Sequence, residues 1–217
     1  MNRIIAPEAI IQAANTVSNT SMNRKIIRIL IIALAAGLGL ALSSQLFKPK
    51  TPAVAQSAME TVRLINAPRA LPEFALETQQ GSLGNKDLMG RWTVVFIGFT
   101  HCPDICPTTL SDMARAQALW ESSGLRAKPK LLFVSIDPER DTPAKIAEYA
   151  AYFHKDTLTA TATGPQLAEF TRALGLVYMK VPQGDSYTMD HSATLAVINP
   201  RGEFAGIIRP PLNPEAI

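Results

Sequence analysis

Residues 92–99 form a near-continuous apolar run that ends directly at Thr100-His101-Cys102-Pro103-Asp104-Ile105-Cys106-Pro107-Thr108, and a helical pattern leaves from Pro107. The run is rich in β-formers and lacks polar alternation. It therefore predicts a strand buried on both faces, and with it a sheet covered by helices on each side. Both cysteines of the chain stand between this strand and the helix. The first turn of a helix leaves backbone N–H groups unpaired and carries partial positive charge. A thiol placed there is more readily deprotonated, and the thiolate is the form that attacks disulfides and binds metals. The local sequence predicts Pro107 at the first helical position, Cys106 at the N-cap and Cys102 in the loop before it.

Strand and helix signals alternate through the rest of the chain. Residues 74–77 and 80–83 read as a hairpin around Gly81. Residues 131–136 read as a second buried strand. Thr142-Pro143 opens a helix with Ile146, Tyr149, Ala150 and Phe153 on one face. Gly164-Pro165 opens another, with Leu167, Phe170 and Leu174, closed by Gly175. Residues 193–198 and 204–208 form a terminal hairpin through Asn199-Pro200-Arg201-Gly202, and Asn213-Pro214 would start a further helix. This order predicts an α/β sandwich with a mixed sheet flanked by helices. Cysteines placed after the first core strand sharpen that to a thioredoxin-like fold. Lys and Arg number 21 against 18 Asp and Glu, a net charge of +3, and no basic stripe is interleaved with aromatics, which argues against a nucleic-acid partner.

Ahead of this domain lies an apolar stretch, residues 26–47. Its cleanest part, residues 29–42, spans about 21 Å as a helix, and residues 29–47 span about 28 Å, close to the thickness of a bilayer core. It reads as a short transmembrane helix or as the core of a signal peptide, with Ala53-Val54-Ala55 as a candidate cleavage site. Arg24, Lys25 and Arg28 assign residues 1–25 to the cytoplasm and the domain to the other side. Residues 48–63, with Pro49 and Pro52, read as a tether, and residues 64–217 as the folded domain. Met22-Asn23-Arg24-Lys25 has the character of a natural start to such a segment, which makes Met22 a candidate initiator.

The cysteine spacing, C-x3-C, differs from the C-x2-C of thioredoxin-type redox enzymes. The haem-attachment pattern C-x-x-C-H is absent, and a structural zinc site would need four ligands that the sequence does not group. A peroxidase reading lacks its sequence context upstream of Cys102. Of three histidines, His101 adjoins Cys102 and points away from it on an extended segment. His154 reads as a solvated residue at a helix end. His191, in Asp190-His191-Ser192, precedes the terminal hairpin, a position that lies beside the cysteines in a thioredoxin-like sheet. Two roles stay open for it: a hydrogen-bonded loop histidine, or the third member of a Cys2His set whose softness suits copper, Cu(I) especially. Asp104 reads first as a cap of the turn and second as negative charge beside a metal. Asp137, beside Pro138, has the form of a turn residue.

Three stretches closely resemble the Sco/SenC family: Phe99-Thr100-His101-Cys102-Pro103-Asp104-Ile105-Cys106-Pro107, Val134-Ser135-Ile136-Asp137-Pro138-Glu139-Arg140-Asp141-Thr142-Pro143, and Asp190-His191-Ser192. The resemblance runs over residues 71–217. It implies a thioredoxin-like domain tethered by one N-terminal helix to the bacterial inner membrane, with the soluble domain in the periplasm. It also implies service in assembling the dinuclear copper centre of cytochrome c oxidase subunit II. The copper ligands it implies, for Cu(I) or Cu(II), are Cys102, Cys106 and His191. It marks Asp137 as a motif residue without assigning a role, and it departs at the C-terminus, where the family continues through a further helix. Two readings follow. The leading one is a copper metallochaperone, not an enzyme in the turnover sense, working with a copper donor and a thiol reductant that keeps Cys102 and Cys106 from forming a disulfide. The other is a thiol–disulfide oxidoreductase that reduces the cysteines of subunit II before copper enters. No proline occurs in the 190–192 loop, where thioredoxin-type enzymes place a cis-proline, and this leans toward copper.

Overall fold

The computed structural model describes Arg24, residues 26–37 and residues 61–217. The chain divides into two units, Met1–Ala55 and Gln56–Ile217. In the first, Arg24 and residues 26–37 are helical and exposed. Among the described residues no helix is long and apolar enough to cross a membrane. The expected anchor over 26–47 continues into residues 38–47, which lie outside the described residues, as do Met22, the 53–55 cleavage site and most of the 48–63 tether.

The second unit begins with β1 (Val62–Ala70), followed by a small hairpin of β2 (Ala75–Thr78) and β3 (Gly81–Gly84). Then come β4 (Thr93–Gly98), α1 (Ile105–Ser122), β5 (Lys130–Ser135), α2 (Pro143–Phe153), β6 (Leu158–Ala160) and α3 (Gly164–Ala173). A ribbon of β7 (Tyr178–Gln183) and β8 (Ser186–His191) follows, and β9 (Leu195–Ile198) and β10 (Glu203–Ile208) complete the strands. The main sheet runs β1-β10-β9-β4-β5-β6, with β4, β5 and β6 mutually parallel and β9 antiparallel to β4. This is the mixed, thioredoxin-like α/β architecture that the alternation of elements predicts.

Every residue of β4 is buried, and β5 is buried from Leu131 to Ser135. Each fully buried Phe or Leu contributes about 1.5–3 kcal/mol of transfer free energy, so Phe96, Phe133, Leu131 and Leu132 place this strand pair at the centre of the apolar core. Trp92, expected inside the strand, is instead partly exposed just before it. Helix α1 lays Cys106, Thr109, Leu110, Met113, Ala116, Gln117 and Trp120 inward, the 3–4 spacing of a helix with one buried stripe. Helix α2 is capped as expected, the Thr142 hydroxyl accepting from the Lys145 N–H. The helix expected after Asn213 is a single 3-10 turn, Pro214–Ala216, packed near α1, where Trp120 Nε1 donates to the Ile217 carbonyl.

One further expectation changes, and one element is new. Helix α1 starts at Ile105, two residues before Pro107, with Asp104 as N-cap and Cys106 already inside the first turn. Pro107 is tolerated at the third position because N–H groups there have no intrahelical acceptor. The β7–β8 ribbon was not foreseen: its two-residue Gly184-Asp185 turn, with Gly184 at φ +56°, was hidden by Pro182 in the first strand.

Candidate metal centre

The C-terminal end of β4 carries Gly98, and the absence of a side chain there lets α1 come close. A Cβ on Gly98 would meet Cys106 Sγ at 2.7 Å and Phe133 Cε2 at 2.9 Å. Cys106 is fully buried, while Cys102, in the loop, keeps 9% exposure. The Cys106 backbone N–H donates to Cys102 Sγ over 3.4 Å, so a sulfur satisfies one of the orphan donors of the helix start. Asp104 makes no side-chain capping bond, which corrects the preferred reading of it.

His191 ends β8 and reaches the same place from the other side. Its Nε2 is 3.5 Å from Cys106 Sγ, and its ring stands edge-on to Phe96 and Phe99 at centroid distances of 6.0 and 6.2 Å. The Nδ1 lies 3.0 Å from the Ser192 carbonyl. That acceptor requires the proton on Nδ1, which leaves the Nε2 lone pair directed at the thiols, the tautomer a metal ligand needs. The ring is therefore oriented by a backbone carbonyl rather than by Asp190. The donor atoms of Cys102, Cys106 and His191 all lie within 4.8 Å of one another. Both cysteines are free thiols. A shallow opening lined by Cys102, Pro103, Ile105, Met189 and His191 gives access.

Burial dominates the electrostatics. It pushes the Cys106 thiol far above its ordinary value, against a backbone hydrogen bond at Phe99 that lowers it. The readily ionised thiol expected at a helix start is thus overturned for Cys106, because desolvation outweighs the helix-end field. Burial also lowers His191, opposed by the Ser192 contact and the Asp190 charge, so the imidazole is held neutral. The Tyr149 hydroxyl, buried and without a hydrogen-bond partner, is pushed up to about 12 by burial and then by the nearness of Cys106.

The other histidines stay apart from this centre. His101 is exposed and faces Asp141, 3.7 Å away. His154 is not solvated: its side chain keeps 13% exposure and sits 3.6 Å from Glu121. With Glu121 and Asp156 it forms a second compact group. Its Nδ1 accepts the Asp156 N–H, however, and Lys155 and Lys130 already neutralise the carboxylates, so the group is a closed ion-pair cluster.

Sequence reasoning left the function of the 137–141 turn unread. Asp141, fully buried, accepts from the Thr100 N–H at 2.8 Å, the Thr100 hydroxyl at 2.5 Å and the Ser135 hydroxyl at 2.7 Å. Asp137, also buried, accepts from Arg140 Nε and from the Tyr187 hydroxyl at 2.8 Å. Two acidic residues in a turn after a buried strand were the available signal, since buried carboxylates need partners.

Fold and site together define a thioredoxin-like domain with a Cys2His cluster at the start of its first helix. Known proteins agree. A family profile described as SCO1/SenC matches residues 63–217. The human mitochondrial SCO1 homologue is 34% identical over 178 residues, covering 80% of this chain and 58% of that protein. The chain thus spans less than two thirds of that relative's length. Among solved structures, Arabidopsis thaliana ScoI with copper bound is 34% identical, with a TM-score of 0.62 over 67% of this chain and 91% of that one. Bradyrhizobium japonicum ScoI with copper bound is 33% identical, with a TM-score of 0.61 over 68% of this chain and 94% of that one. The chain belongs to the SCO1/SenC family.

Proposed function

We propose that this protein is a copper-binding metallochaperone that holds copper on Cys102, Cys106 and His191 and serves assembly of the dinuclear copper centre of cytochrome c oxidase subunit II. The observation that carries the reading is the convergence of two sulfurs and one imidazole nitrogen within 4.8 Å of one another beside an opening to solvent. Two thiolates and an imidazole form a soft set that favours copper, Cu(I) above all. The chemistry of the Cys106 thiol agrees: burial favours its protonated form, and a metal that takes the sulfur as thiolate displaces that proton. Membrane tethering by residues 26–47, with the domain in the periplasm of a bacterium, belongs to the same proposal and rests on the charge pattern around Arg24, Lys25 and Arg28.

Oxidation would gate the site, since a disulfide between Cys102 and Cys106 consumes both sulfur ligands. Hence a thiol reductant and a copper donor are the partners this function requires. One observation favours the second reading, a thiol–disulfide oxidoreductase acting on subunit II. Cys102 keeps some exposure and accepts a backbone N–H, as an attacking thiol should. Copper titration against a competing chelator, run on the reduced and the disulfide-oxidised chain beside a disulfide-reduction assay, separates the two. The metallochaperone reading expects tight binding only in the reduced form and little reductase turnover. Equal copper affinity in both forms contradicts it.

A further inference from the structure

The β7–β8 ribbon forms a two-stranded sheet of its own and shares no strand pairing with the main sheet. Its position must be set by side chains. Among the described residues, the hydrogen bonds from this ribbon to the body of the domain, other than the Cys106–His191 contact, all land on Asp137, Glu139 and Arg140. Arg140 Nη1 donates to the Tyr187 carbonyl at 3.1 Å, and its guanidinium stacks on the Tyr187 ring at 3.8 Å. The Tyr187 hydroxyl donates to Asp137 Oδ1, whose other oxygen receives Arg140 Nε. Lys180 Nζ pairs with Glu139 at 2.7 and 2.8 Å, on the surface. Arg140 also stands 5.8 Å from the centre of the Phe99 ring, against which His191 packs. The same turn holds Thr100 through Asp141, two residues before Cys102.

We propose that Arg140 is the positioning residue for the third ligand: it clamps Tyr187 to Asp137 and so holds the β7–β8 ribbon where His191 Nε2 faces the two thiols. The inference rests on the Cys102–Cys106–His191 copper reading. A guanidinium suits the task because its rigid planar fork holds two donor nitrogens at a fixed spacing, one on Asp137 and one on the Tyr187 carbonyl, while its face covers the Tyr187 ring; a lysine ammonium is a single donor centre and cannot span both acceptors. Cys106 is placed by Gly98 and the buried face of α1, and Cys102 by its N–H to the Phe99 carbonyl and by the Cys106 N–H on its sulfur; the neighbouring Thr100 is held by Asp141, not by Arg140. Loss of the clamp therefore removes the imidazole and spares the sulfurs. Cu(I), which two thiolates hold in near-linear geometry, is little affected, whereas Cu(II) is weakened.

The test uses the full chain, reduced, as wild type and as Arg140→Lys, Tyr187→Phe and His191→Ala. Cu(II) binding is followed by its charge-transfer and EPR spectra, Cu(I) by chelator competition, and amide hydrogen exchange is read in the metal-free protein. Arg140→Lys should lose about 10–100-fold in Cu(II) affinity, the range seen for outer partners of metal ligands, and its spectrum should move toward that of His191→Ala. Cu(I) affinity should stay near wild type. Exchange should quicken over residues 178–191 and not over β4 or β5. Tyr187→Phe, which removes one hydroxyl, should follow in the same direction by less, and it decides the matter if Arg140→Lys does not fold. A wild-type Cu(II) spectrum in both variants, or equal loss of Cu(I) and Cu(II), overturns the clamp. If the wild type itself binds no copper, the functional reading fails separately, and unchanged exchange in Arg140→Lys then overturns the clamp by itself.

Discussion

Cys106 is carried by the first turn of α1 over the buried end of β4, with Cys102 in the short loop between them, whereas His191 ends a ribbon whose strands pair only with each other. The first half of the site is fixed by apolar packing: Cys106 lies over Gly98 and beside Phe133, among side chains with no exposure. The second half is fixed by a handful of polar contacts to one turn together with limited packing, Met189 at the edge of the core and the His191 ring against Phe96 and Phe99. Close-packed interiors resist displacement, while a ribbon with few buried side chains and no strand pairing to the main sheet opens at lower cost. On the copper reading proposed above, the two halves then contribute differently: the sulfurs as a fixed platform, and the imidazole as a ligand that can be engaged or released.

The largest effect should come from the platform. Cys106→Ser or Cys102→Ser removes a thiolate that nothing else in the chain replaces, since only these two cysteines exist. Loss of Cu(I) affinity should exceed the roughly 100-fold that outer partners of a ligand cost. Chelator competition measures it, and retention of wild-type affinity in either variant would break the distinction between platform and arm.

Next in size is Gly98→Ala. Its Cβ has no room against Cys106 Sγ and Phe133, so overpacking should destabilise the domain by about 1–3 kcal/mol and displace Cys106 from His191. Denaturant melts with copper titration on the same variant check this. An unchanged midpoint and unchanged Cu(I) affinity would mean that the platform is softer than its packing implies.

The smallest effect is in pH, where the two halves should act at opposite ends. The Cys106 thiol keeps its proton in the folded chain beyond its ordinary value of 9.0. Above that value the unfolded chain has released the proton and the folded chain has not, so stability falls as pH rises. Burial raises Tyr149 and Tyr187, each to about 12, and they act with the same sign, so Cys106→Ala should lessen the alkaline slope without removing it. The His191 imidazole is lowered from its ordinary 6.5, so the unfolded chain binds more protons just below that value. Stability present above 6.5 is then lost as pH falls toward the folded value, and His191→Asn should flatten that limb. Denaturation midpoints across this range, with an acid limb unaltered in His191→Asn, would reject the assignment.

What the sequence disclosed follows the same division. Residues 92–99 and 131–136 announce buried strands because their apolar runs are local and continuous, and Thr142-Pro143 announces a helix through a cap that is local too. The cysteines could be placed at a helix start for the same reason. The histidine arm was opaque. Tyr187 meets Asp137 across fifty positions of chain, and no periodicity reports a contact of that kind. His191 was singled out only as one of three histidines whose loop would lie near the thiols, and its choice as a ligand came from resemblance to a family. The thiol chemistry misled for a physical reason: a helix-start rule holds for accessible sulfur, and Cys106 is covered by Phe133 and the sheet.

X-ray absorption at the copper edge of the Cu(I)-loaded, reduced full chain tests the central claim most directly. The account predicts two sulfur scatterers and one imidazole nitrogen in the wild type. It also predicts that His191→Ala loses the nitrogen and keeps both sulfurs. A shell of nitrogen and oxygen alone, or loss of sulfur when His191 is removed, would contradict it.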